Sequence, residues 1–193
     1  MDDAGRLLRR GFALEYATLA WNVAGLVVLG YAAWTARSIA LFGFGLDSVI
    51  EIGASIVVVW ELAGRFAGRQ RHALRLIAYA FAGLALYLTV QSSVVLATRF
   101  HPRPSPVGIA WTAVTAVVMF ALAYGKTTTG AALDNPVLRT EGRVTLVDGL
   151  LAVAVLIGLI LNAALGWWWA DPLAGYALAA YAVREVVAVV RAG

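Results

Sequence analysis

The sequence predicts an all-α integral membrane protein: one transmembrane domain over residues 1–193, a bundle of six helices with both termini in the cytoplasm. Three observations predict it. The chain is 62% hydrophobic and 13% charged, with mean hydropathy +0.81, whereas a soluble domain runs nearer 45–50% apolar and about 25% charged. Its charged residues leave six long apolar runs, each close to the length of helix that crosses a hydrocarbon core. Lysine and arginine collect in alternate gaps between those runs. The absence of cysteine excludes disulfides and thiolate metal sites. The net charge of +4 is spread over loops rather than gathered in one patch, so it does not point to nucleic acid.

The first uncharged run covers 16–36, and helix 1 is expected at about 14–36. With Trp21 and Asn22 inside it, the run is too long for a cleaved signal peptide, whose apolar core is about 7–15 residues. Helix 2, about 38–62, contains SIALFGFGLDSVIEIGASIVVVW. Helix 3, about 74–98, carries Gln91 with Ser92 and Ser93, and Gln91 reads as interhelical hydrogen-bond glue rather than a ligand. Beyond the proline-stiffened loop at 99–106, Ser105-Pro106 opens helix 4, about 105–125, with a capping side chain before a proline at the first helical position. Lys126 is taken as the first residue past that helix. Asn135-Pro136 opens helix 5, about 136–165, and Asp171-Pro172 opens helix 6, about 171–190.

Orientation follows from the basic residues. Arg6, Arg9 and Arg10, the second-loop arginines 65, 69, 71 and 75, the fourth-loop Lys126, Arg139 and Arg143, and the C-terminal Arg184 and Arg191 fall on one side. Only Arg37, Arg99 and Arg103 fall on the other, so the positive-inside rule puts both termini in the cytoplasm. Trp34 and Trp167, Trp168 and Trp169 then belong to the outer interface, and Trp60 and Tyr124 to the inner one.

Within this frame two acids are out of place. Asp47 and Glu51 lie inside helix 2, four residues apart and hence on one face. Each costs about 2.5 kcal/mol or more at a bilayer centre, which makes the pair a cation site by default. Asp148 is about 18 Å along helix 5 at about 1.5 Å per residue. Glu141 lies seven residues earlier on nearly the same face, with Thr145 between them. Glu15 and Asn22 share a face of helix 1. Glu15 and Glu141 sit near the cytoplasmic border, where they are either solvated acids or part of an access path. Asn22 is either packing glue or a ligand. His72 and His101 fall in loops and read as surface residues, and Arg184 and Glu185 can snorkel to the inner surface. Gly43, Gly45, Gly53 and the Gly175-x-x-x-Ala179 stripe suggest close helix packing. Gly43 and Gly45 also offer a place for helix 2 to bend during transport.

L-D-S-V-I-E on the second helix and E-G-R-V-T-L-V-D on the fifth, with the stretches SIALFGFGLDSVIE and GWWWADPLAG, resemble the cation diffusion facilitator (cation efflux) family from about Glu15 to Arg191. The resemblance implies a six-helix metal/proton antiporter of cation-efflux type in the cell membrane, homodimeric, with metal ligands at Asp47, Glu51 and Asp148. Two departures accompany it. Members usually carry His-x-x-x-Asp on the fifth helix, and Val144 stands at the histidine. Their usual cytoplasmic C-terminal domain has no counterpart after the sixth helix. Asn22 or a water is left to fill the fourth ligand position, with Glu141 a residue of the cytoplasmic mouth.

The function expected is export of a divalent cation in exchange for protons. The metal is substrate, not a resident cofactor. Oxygen donors suit Mn²⁺ or Mg²⁺ chemically, and the resemblance keeps Zn²⁺, Fe²⁺ and Co²⁺ open. Proton return on the same carboxylates is reasonable because burial favours an acid's neutral form. The alternative is a transport-inactive scaffold of the same fold. An enzyme is disfavoured by the lack of cysteine and of any intramembrane histidine.

Overall fold

The computed structural model describes residues 3–36, 39–63, 67–99 and 103–192. Six α-helices run through them: α1 (Asp3–Ala36), α2 (Ile39–Leu62), α3 (Ala67–Thr98), α4 (Pro106–Ala132), α5 (Pro136–Leu165) and α6 (Ala170–Ala192). Five of these are long and apolar enough to cross a membrane: α1, Leu41–Leu62 of α2, Ala78–Thr98 of α3, α4 and α5. Arg37, Ser38, Arg65 and His101 lie outside the described residues, as do the side chains of Arg69, Arg71, Asp171, Glu185 and Arg191.

Three helices are longer than the charge-free runs suggest. α1 begins at Asp3 rather than near 14, α3 at Ala67 rather than 74, and α4 continues to Ala132 instead of stopping at 125. A gap between charges measures the part of a helix that suits lipid. It does not measure the helix: arginines are good helix formers once outside the apolar zone, as in α1 and α3, and in α4 the charge that ends the run is itself buried inside the bundle. Two of the three expected caps form, whereas α6 already begins at Ala170, ahead of Asp171-Pro172, so Asp171 lies inside the helix rather than at its cap position. The Ser105 and Asn135 side chains accept from the backbone N–H of Gly108 and Leu138, each with proline following at the first position, and Gly166 closes α5 at φ 69°.

α2 and α5 form the centre. α5 touches α2, α3, α4 and α6, while α2 touches α1, α3 and α5. The side chains are arranged the opposite way from those of a soluble bundle. Along α2, Phe42, Leu46, Val49 and Ile56 are exposed, whereas Asp47, Ser48, Glu51 and Ser55 are buried. Such a surface is untenable in water and natural in lipid, where intramembrane polar groups turn to the bundle interior.

Close helix approach depends on particular glycines. A Cβ on Gly43 would fall on Tyr87 and Gln91 of α3, so this position serves packing within a continuous α2. Gly142 matters more for the site. A Cβ there would lie 2.5 Å from Thr127 Oγ1 and 2.9 Å from its backbone nitrogen, so only glycine lets the α4 and α5 backbones meet at this level. Gly142→Val is expected to destabilise by at least about 1–3 kcal/mol through overpacking, read as a lower melting midpoint in detergent. Gly53→Ala, where nothing lies within 4 Å, should leave the midpoint unchanged or slightly raised.

Candidate metal centre

Two groups of buried charges lie along the α2–α5 contact. Asp47 and Glu51 project from α2, and Ser55 continues their stripe at the same spacing of four. Asp148 comes from α5. The carboxyls of Asp47 and Asp148 lie close together across the two helices, and Asp47 Oδ2 is buried without a hydrogen-bond partner among the described residues. Ionised carboxylates offer only acceptors, so two of them side by side are a place where a cation is favoured. Glu51 sits one turn away. Its Oε1 accepts from Thr145 Oγ1 at 2.7 Å, and Asp148, Glu141 and Lys126 are within its electrostatic reach. Among the described residues no three carboxylate or histidine side chains stand in a ready-made metal shell. Asp47 and Asp148 are brought together, while Glu51 is turned toward Thr145.

The second group lies nearer the end of the bundle that holds the N-terminus. Glu15 and Glu141 are wholly buried, which excludes the reading of solvated border acids. They bracket Lys126, whose Nζ lies 3.2 Å from Glu15 Oε2 and donates to Glu141 Oε1 at 2.9 Å and to Thr145 Oγ1 at 3.0 Å. Ser55 Oγ adds a bond to Glu141 Oε1 at 3.3 Å. Glu15 Oε2 is close enough to the ammonium for an ion pair, but the angles do not make a hydrogen bond there. We regard the contact as electrostatic. Asn22 is buried on α1, and its amide nitrogen donates to the Thr18 carbonyl of its own helix at 3.0 Å. Val144 is buried in the apolar core. His72 is exposed.

The main correction concerns Lys126. It is neither a loop residue nor part of the basic tally at the membrane surface, but a 0%-exposed side chain inside α4. The apolar run of helix 4 ends before it, and a charge at such an end ordinarily marks water. Here acids from α1 and α5 replace that water, and a single linear run cannot reveal them. One available signal passes unused: Lys126 is the chain's only lysine among fourteen arginines. Ser55 was missed as well, although it extends the stripe of Asp47 and Glu51.

A bundle that turns apolar side chains outward and buries Glu15, Asp47, Glu51, Glu141 and Asp148 is an integral membrane protein equipped to handle cations. The chain matches the cation efflux transmembrane domain over residues 16–193. It belongs to the cation efflux family, whose members carry metal cations across membranes.

Proposed function

We propose that this protein is a secondary transporter exporting a divalent metal cation from the cytoplasm in exchange for protons, with Asp47, Glu51 and Asp148 as the ligands. The observation that carries the reading is the contact of Asp47 with Asp148 across the α2–α5 interface, with a buried oxygen left over. A divalent ion would replace a proton in that contact and draw Glu51 away from Thr145. Asn22 or a water would complete the shell. Metal arriving would release protons, which is the chemistry of exchange. An all-oxygen set distinguishes poorly among Mn²⁺, Fe²⁺, Co²⁺ and Zn²⁺. All six helices cross the bilayer in this reading, both termini are cytoplasmic by the arginine distribution, and two copies associate, as the resemblance implies.

The test is metal uptake by proteoliposomes containing the purified protein, screened over those four ions. At least one should enter several-fold faster when the lumen is made more acidic than the outside. Flux indifferent to the gradient would remove the proton from the proposal. No flux for any ion would favour an inactive scaffold.

A further inference from the structure

The geometry points to Lys126 as a tethered cation that competes with the substrate metal, its ammonium holding the station an incoming divalent ion must clear to reach Glu51, Asp47 and Asp148. This rests on the transport reading above. The ammonium donates to Glu141 Oε1 and Thr145 Oγ1, and Thr145 donates in turn to Glu51 Oε1. A single hydroxyl therefore separates the lysine from a ligand of the proposed site. The contacts also tie α1, α4 and α5 together through Glu15, Lys126 and Glu141.

A purely structural ion bridge explains less. Burying such a bridge gains little stability over apolar packing, and this one leaves the cluster short of cations. Among the described residues, Glu15 Oε1, Glu141 Oε2 and Asp47 Oδ2 are buried without hydrogen-bond partners. Among the described residues, Glu15, Glu51, Glu141 and Asp148 lie within electrostatic reach of one lysine. A divalent ion brings two charges to a place where the lysine brings one, and can displace it. The lysine's flexible four-carbon stem lets the ammonium withdraw and return, so the emptied carrier is again neutralised. Arginine, used at every other basic position, has a planar, rigid fork less suited to that exchange.

The experiment uses Mn²⁺ as the probe on reconstituted full-length protein. Lys126→Met keeps an unbranched side chain and removes the charge. KM for Mn²⁺ should fall about tenfold, within the coupling usual between linked sites, while kcat falls because nothing drives the ion off. Lys126→Met combined with Glu15→Gln keeps the net charge of the wild-type group and should retain the lowered KM. A return to the wild-type value would assign the effect to net charge and overturn the competition. So would an unchanged or raised KM in both variants. A second readout uses the wild type, so it does not depend on a variant folding. With one lysine in the chain, amine-reactive labelling away from the N-terminus reports Lys126 alone. Saturating Mn²⁺ should increase its labelling several-fold, and unchanged protection would overturn the proposal. Asp148→Ala serves as the separate control. If that variant binds Mn²⁺ like the wild type, the transport-site reading fails, whereas lost binding with unresponsive Lys126 variants defeats the competition alone.

Discussion

Asp148→Ala should abolish metal flux in proteoliposomes while the protein remains folded. Asp148 supplies the α5 half of the contact with Asp47, so its removal leaves Asp47 without that carboxyl while Glu51 keeps Thr145. At the proposed site a divalent ion would then lose a charge and the ligand contributed by α5. Residues that merely orient a ligand are worth about 10–100-fold in affinity, and a direct ligand should exceed that, placing flux below detection. Stability should move little. Asp148 has no direct ion pair among the described residues, and removing a buried acid also removes its desolvation. The checks are Mn²⁺ and Zn²⁺ uptake together with the melting midpoint in detergent. Near-normal flux from a folded Asp148→Ala variant would place the ion elsewhere.

The sequence made half of this site legible. Asp47 and Glu51 could be read because an acid in an apolar run is expensive wherever its helix lies, and their spacing put them on one face without reference to any neighbour. Asp148 stood out by the same logic. The buried group around Lys126 could not be read this way, because its charges arrive from three different helices. Each of Glu15, Lys126 and Glu141 lies near the end of an apolar run, where charge and water usually coincide. Only packing shows that α4 continues past Lys126 to Ala132 and that Gly142 brings α5 against Thr127, beside the lysine. Two helix caps were legible because they are local: Ser105-Pro106 and Asn135-Pro136 involve a few consecutive residues, whereas α6 starts one residue before Asp171-Pro172. The starts of α1 and α3 were not, since arginine-rich turns outside the apolar zone can be helix or coil with equal hydropathy.

Val144→His is expected to raise the ratio of Zn²⁺ to Mn²⁺ flux about tenfold or more by adding the nitrogen donor that zinc favours over manganese. Glu141, Val144, Thr145 and Asp148 follow the spacing of one helix face. Three of them are polar and buried, and Val144 is the apolar interruption. One turn before Asp148, an imidazole there could reach an ion held by Asp47 and Asp148, at the about 2.0–2.1 Å that zinc–nitrogen bonds require. The histidine is larger than the valine and enters a packed core, so a loss of about 1–3 kcal/mol from overpacking is expected, and absolute rates will fall for both metals. The ratio is therefore the informative quantity, measured by competitive uptake of the two ions through wild type and variant in matched proteoliposomes. A zinc preference that rises while Asp148→Ala stays inactive would put Val144 beside the ion and explain the oxygen-only site as the loss of one ligand. An unchanged ratio in a folded, active variant would mean that residue 144 faces apolar packing alone. The fourth ligand would then have to come from α1 or from water.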